Sequence, residues 1–318
     1  MTLDVQIRES GAGKFADPDV TAKGEARAAV AFDSLKTLWV NTGTLCNITC
    51  ANCYIESSPT NDRLSYFTPA DLAPFLAEAG ALSPEPIEVG FTGGEPFMNP
   101  HMGELAEMAL ARGHRVLILT NAMRPMMRPR QRAALLALRE AYASQLALRV
   151  SLDHFDAARH DEERGSGGFE ETLEGIAWLV GNGFVVSLAG RSSWHESEVE
   201  ARAGYARLIT AHGWGIDADD PAQLILFPEM DETVDVPEIS NACWGILNVD
   251  PSAMMCASAR MLVKRAGAST PAVLACTLLP YDPGFELGPT LEGALAPVRL
   301  NHRHCAKFCV LGGGSCSG

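Results

Sequence analysis

The apolar residues of this chain fall into short runs separated by longer stretches with helical spacing. The runs at 37–41, 87–91, 115–119, 146–152, 184–188 and 223–227 are each about five to seven residues long, and several are rich in Val, Ile or Leu, as strands buried on both faces are. Between them the sequence predicts helices. One opens at Thr68-Pro69-Ala70-Asp71, where a threonine cap precedes a proline at the first helical position and an acid three residues on. The next covers 100–112 and stops at Gly113; others cover 129–143, 169–180 and 196–212. Short strands alternating with helices make βαβ units and therefore a mainly parallel sheet. Six such units predict an α/β fold, a partial (βα)6 TIM-like barrel, with chemistry on the loops at the C-terminal strand ends.

The pattern also divides the chain. Residues 1–34 mix charge, glycine and alanine with weak periodicity and read as an N-terminal arm, partly flexible. The barrel is expected over 35–230. After Phe227 the alternation breaks, and 231–318 reads as a small, loop-rich, cysteine-rich C-terminal extension. Its apolar periodicity is too poor for a large core, and a bound metal centre would help it fold.

Charge and cysteine usage narrow the function. Asp plus Glu number 39 against 25 Lys plus Arg, a net charge of −14. Such a chain has no broad footprint for phosphate backbones, which argues against a nucleic-acid partner. No apolar stretch approaches the roughly 20 residues that span a bilayer, and residues 1–19 lack the apolar core of a secretory signal. A cytoplasmic protein without a membrane partner is expected. In that reducing compartment nine cysteines read as metal ligands rather than disulfides.

Cys46, Cys50 and Cys53 follow the first strand at C-x3-C-x2-C spacing. Three thiolates on one loop can converge on a 4Fe–4S cubane and leave one iron open to a ligand. A structural zinc site closes with four protein ligands, and no nearby His or Cys supplies the fourth. After the second strand comes Thr92-Gly93-Gly94-Glu95-Pro96. Two glycines let backbone approach a ligand closely, and a carboxylate can bond an ammonium group. Taken alone, this segment reads first as a glycine turn with a solvated glutamate. Together the two motifs resemble the radical S-adenosylmethionine (radical SAM) superfamily over about residues 36–228. Asn52 stands where many members have an aromatic residue.

The resemblance implies a 4Fe–4S cluster on Cys46, Cys50 and Cys53, with S-adenosylmethionine chelating the open iron. Reductive cleavage of its S–C5′ bond gives a 5′-deoxyadenosyl radical that abstracts hydrogen from substrate. An external low-potential electron donor, such as a flavodoxin or ferredoxin, is implied as well. Gly93, Gly94, Glu95 and Pro96 are expected at the methionine amino group, Glu95 through its carboxylate. Ser151 is expected at the ribose or carboxylate, with Asp153 beside it; both could instead cap the loop after the fourth strand. Arg164 lies in a segment similar to one in relatives, with a surface ion pair as the alternative. Arg191 is placed to face the methionine carboxylate, and Tyr54 adjoins the cluster loop. Thr120 and Asn121 face the same rim. Leu224 to Phe227 contact adenine or simply pack the core. His154, His160 and Trp194 are substrate-site candidates by location alone.

The tail carries Cys243, Cys256, Cys276, Cys305, Cys309 and Cys316. It resembles the auxiliary-cluster extensions of the SPASM and twitch groups, although its close pair is C-x3-C. The resemblance implies a second 4Fe–4S cluster, with Cys256, Cys276, Cys305 and Cys309 the preferred ligands, Cys316 the first replacement and Cys243 the second. A zinc site using His302 or His304 and a set of packing-only cysteines are the alternatives. The expected function is a radical SAM oxidoreductase: hydrogen abstraction from a small molecule and a net oxidation aided by the second cluster. The alternative is a maturase of peptide side chains (RiPP-type) with a separate leader-binding partner, because the 45 residues before Cys46 are too few for a fused recognition domain. A non-catalytic electron carrier is the remote reading, since a carrier needs neither an open iron nor the Gly93–Pro96 motif. A zinc-stabilised scaffold is equally remote.

Overall fold

The computed structural model describes residues 13–228 and 233–314, and in it every expected apolar run forms a strand. A two-residue strand, β1 (Ala29–Val30), comes first. The runs then give β2 (Thr37–Asn41), β3 (Glu88–Thr92), β4 (Arg115–Thr120), β5 (Leu146–Ser151), β6 (Val185–Arg191) and β7 (Leu224–Phe227). From β2 to β7 they pair in chain order and in parallel. Helices α1 (Pro69–Leu82), α2 (Met102–Leu110), α3 (Arg124–Met127), α4 (Pro129–Tyr142), α5 (Ala157–Arg164), α6 (Gly168–Gly181) and α7 (Glu198–His212) connect them. The threonine cap behaves as the sequence predicts: Asp71 N–H donates to Thr68 Oγ1, and Thr68 N–H donates back to the Asp71 carboxylate. The result is the α/β partial barrel, open along β7.

Alternation along the strands builds two cores. Leu38, Val40, Val89, Phe91, Ile118, Leu148 and Leu188 face the helices, packing with Leu72, Phe75, Leu105 and Ile176. Trp39 and Leu117 face the barrel interior, where they meet Met261, Cys305, Phe308 and Val310 of the tail. Gly90 makes room for the indole: a Cβ there would lie 2.4 Å from the Trp39 ring.

The sheet continues past the point where the apolar pattern breaks. β8 (Ala259–Val263) pairs in parallel with β2, and β9 (Ala272–Leu274) and β10 (Glu286–Gly288) extend the sheet antiparallel. Among the described residues the sheet order is β10-β9-β8-β2-β3-β4-β5-β6-β7. β8 reads Ala-Arg-Met-Leu-Val and is buried throughout; Arg260 interrupts its apolar run and hid it from sequence reading. β11 (Val298–Arg299) pairs with β1. Residues 13–34 lie against the tail, with Ala28 and Val30 in its core and buried Arg27 bonded to Glu238 at 2.5 Å. Among the described residues no helix is long and apolar enough to cross a membrane.

Candidate functional site

The site forms where the strands end. The loop after β2 carries Cys46, Cys50 and Cys53, and it is pinned from three sides. Gly94 N–H donates to Gly43 O at 2.8 Å and Glu95 N–H donates to Leu45 O at 3.2 Å. Asn121, following β4, donates from its side-chain amide to Asn47 Oδ1 at 2.9 Å. On the third side Ala51 N–H donates to Glu163 O at 2.8 Å, and the Asn52 amide donates to the Glu163 carboxylate at 2.6 Å. The polar Asn52 therefore has a partner in α5.

Gly93 and Gly94 are needed for chain against chain. Gly93 has φ +138, and a Cβ on it would stand 2.5 Å from Gly43 O; one on Gly94 would stand 2.3 Å from Leu45 O. The close approach expected for a ligand is taken up, on the Cβ side of both glycines, by the cysteine loop itself. Their other atoms still line the site.

A cavity of about 160 Å³ opens between the loop and the strand ends. Cys46, Cys50, Cys53 and Tyr54 form one wall, and Thr92, Gly93 and Gly94 another. Thr120 and Asn121 come from the end of β4; Arg149, Ser151 and Asp153 from β5; Ala189 and Arg191 from β6. Phe227, Leu278 and Phe308 close the remaining side, the last two supplied by the tail.

Arg164 is no surface ion pair. Its guanidinium donates to Asp153 from Nε at 2.6 Å and from an Nη at 3.1 Å, and both side chains line the cavity, Asp153 buried and Arg164 nearly so. Arg191 approaches the same carboxylate at 3.4 Å and donates to Asn52 O at 3.1 Å. Burial pushes the Asp153 carboxyl up, but the two guanidiniums outweigh it and hold the group below the usual range. Asp153 is thus an ionised acid fixed in place at the cavity wall.

Glu95 and Pro96 lie behind that wall. Pro96 opens a 3-10 turn, Pro96–Met98. Glu95, 1% exposed, accepts from Phe97 N–H at 3.2 Å, the Thr120 hydroxyl at 2.8 Å and Asn121 N–H at 2.8 Å. Burial pushes its carboxyl up to about 7 despite these donors, and no cation pairs with it among the described residues. In this structure Glu95 ties the end of β3 to the end of β4 rather than standing in the open site.

The donor set fits an iron–sulfur cluster with one open iron. Three thiols share one cavity wall, with no fourth Cys or His on it. Burial raises the Cys46 thiol to about 12 and also raises Cys50, so cluster assembly must displace their protons. Among the described residues no three His, Cys, Asp or Glu side chains gather as a single ion requires; a cubane spreads its thiolates over separate irons and makes no such demand.

The tail gathers a second thiol set. Cys256 sits on a turn, Met255–Ala257, Cys276 follows β9, and Cys305 and Cys309 lie on the π-helical segment Cys305–Leu311. Burial raises the Cys276 thiol, as do the adjacent Cys309, Cys305 and Cys256. Cys305 is pushed up to about 12 by burial and then by Cys256. These four share one neighbourhood, Cys305 buried and the other three half-buried. Cys243 stands beside Ser240, 3.7 Å from its hydroxyl, on α8 (Cys243–Leu247), and Cys316 lies outside the described residues. His302 and His304 face each other at 4.7 Å between ring centres, outside any three-ligand group for a single ion among the described residues.

Three candidates chosen by location do not reach the cavity. His154 faces Glu196 and Arg159, with Trp194 4.9 Å from its ring. His160 is fully buried beside Phe169. Of Leu224 to Phe227 only Phe227 lines the cavity. Conversely, sequence reading missed Arg149, a buried guanidinium on the cavity wall. The signal was present, because in β5 Arg149 shares the face of Ser151 and, two further on, Asp153.

Comparison with known proteins agrees with this geometry. A sequence model of the radical SAM superfamily matches residues 40–191. The antilisterial bacteriocin subtilosin biosynthesis protein AlbA of Bacillus subtilis (strain 168) is 32% identical over 146 residues, 45% of this chain and 30% of that protein. The AdoMet-dependent heme synthase of Methanosarcina barkeri is 31% identical over 137 residues, 42% of this chain and 36% of that one. The matched segment therefore spans about a third of either curated relative. Among solved structures, Streptococcus suis SuiB bound to S-adenosylmethionine aligns with a TM-score of 0.56 at 12% identity, covering 80% of this chain and 63% of that one. Native anSMEcpe with bound AdoMet aligns with a TM-score of 0.58 at 12% identity, covering 85% and 82%. At such identities the structural likeness speaks for the fold.

Proposed function

We propose that this chain, whose residues 40–191 match the radical SAM superfamily model, is a member of that superfamily and catalyses a net oxidation by hydrogen abstraction, with a second 4Fe–4S cluster in its tail. The first cluster, on Cys46, Cys50 and Cys53, supplies when bound the electron that cleaves S-adenosylmethionine. The chain's own residues do the rest. Asp153, held ionised by Arg164 and Arg191, offers a fixed acceptor to ribose hydroxyls, with Ser151 beside it on β5. Arg191 and Arg149 offer positive charge to the methionine carboxylate or to substrate. Glu95 fixes Thr120 and Asn121, and through Asn121 the cysteine loop.

One observation carries the oxidative reading. The four tail thiols of Cys256, Cys276, Cys305 and Cys309 share one neighbourhood, and their segment also supplies Phe308 to the wall of the cavity that the first cysteines line. A cluster there lies within the same fold as the substrate cavity and is suited to accept the electron that a substrate radical must lose. AlbA, a bacteriocin biosynthesis protein, and SuiB, solved bound to precursor peptide SuiA, favour a peptide as substrate. The heme synthase favours a small molecule.

The test is direct. Anaerobically reconstituted protein, reduced with dithionite and given S-adenosylmethionine, is expected to form 5′-deoxyadenosine and methionine in equal amounts, and Cys50→Ala to fall to background. Intact clusters without cleavage would instead mark an electron carrier.

A further inference from the structure

Arg260 is a charge without a counter-charge. It lies on β8, is 1% exposed, and is among the largest fully buried side chains of the molecule. Its Nε donates to Ala294 O at 2.7 Å, and its Nη1 donates to Cys256 O and Ala259 O, each at 2.7 Å. The ring of Phe32 covers the guanidinium at 4.3 Å. Its Nη2 finds no acceptor, and no carboxylate pairs with it among the described residues. By contrast Arg27 pairs with Glu238, and Arg164 at the first cysteine set pairs with Asp153.

An unpaired buried cation is strongly unfavourable even after relaxation. Neutral carbonyls and one ring face soften the cost without removing it. A nearby anion would remove it. The group that Arg260 touches is the turn bearing Cys256, one of the four gathered tail thiols. Four thiolates around a 4Fe–4S core leave a net negative charge that deepens on reduction.

We propose that Arg260 is the internal counter-ion of the tail cluster, fixing the Cys256 turn through its carbonyl and raising the cluster's reduction potential. The proposal rests on the tail-cluster reading above. Arg260 is a positioning and tuning residue, because its bonds run to Cys256 O and not to substrate. A positive charge held in a dry site favours the reduced, more negative cluster. It therefore makes the cluster a better electron acceptor, as an oxidative enzyme needs. It also accounts for an arginine placed in the middle of a buried strand.

The test is a redox titration of the reconstituted full-length protein, followed by electron paramagnetic resonance. Added S-adenosylmethionine identifies the first cluster by perturbing its signal. Arg260→Gln is expected to keep the iron content and shift the tail midpoint to lower potential while leaving the first cluster's midpoint in place. Arg260→Lys, which keeps the charge, is expected to restore most of the shift. Should Arg260→Gln lose the tail iron, retention of that iron in Arg260→Lys supports the charge, and loss in both variants overturns it in favour of packing. An unchanged tail midpoint in Arg260→Gln with iron intact overturns the proposal alone. A parent protein with no tail iron overturns the cluster reading, and the proposal falls with it.

Discussion

At the scale of single residues, direct ion pairing separates Asp153 from Glu95. Both are carboxyl groups at strand ends, yet Asp153 is held ionised by two guanidiniums while Glu95 meets only neutral donors. The sequence showed both acids but could not show which one had cations beside it. Arg164 lies on α5, whose sequence has too few apolar residues to display a helical period, so its route to Asp153 was invisible. The Glu95 environment has a measurable consequence. Folded protein holds its proton up to about pH 7, whereas the unfolded chain releases it at the ordinary value of 4.5. That contribution to stability is whole below pH 4.5 and is lost as pH rises through 7. In urea unfolding of the metal-free chain, wild type should lose on the order of 2–3 kcal/mol more than Glu95→Gln between about pH 5 and pH 8. Parallel pH profiles would mean that the carboxyl is solvated after all.

At the scale of elements, the six barrel strands were legible because both faces of a parallel sheet are covered and each strand is apolar almost throughout. α1 was legible from its cap. β8 was not, because Arg260 breaks its run, and β1, β9, β10 and β11 are only two to three residues long. Gly90 shows what a strand glycine can mean in a barrel interior. The Trp39 indole occupies the space a side chain at position 90 would need, so Gly90→Ala should cost about 1–3 kcal/mol by overpacking. Trp39→Leu in the same chain should recover part of that loss, because the two positions are in contact. Additive losses in the double variant, read from unfolding midpoints at constant slope, would contradict the packing described.

For the whole molecule, the barrel and the tail are interdependent. Trp39 and Leu117 of the barrel share a core with Phe308 and Val310 of the tail, and the tail closes the cavity that the first three cysteines line. The first cysteine motif and the glycine-rich segment were legible as a pair because their chemistry is tied to spacing along one or two loops. The tail ligands were legible only as a set, since Cys256, Cys276 and the Cys305–Cys309 pair come together through the β8–β9 hairpin and a π-helical segment that no periodicity announces. That one fold holds two clusters can be tested by counting. Iron and sulfide should be measured per chain in the Cys46→Ala, Cys50→Ala, Cys53→Ala triple variant after anaerobic reconstitution. About four of each are expected, held by the tail; near-zero iron, with zinc or nothing in its place, would contradict the account.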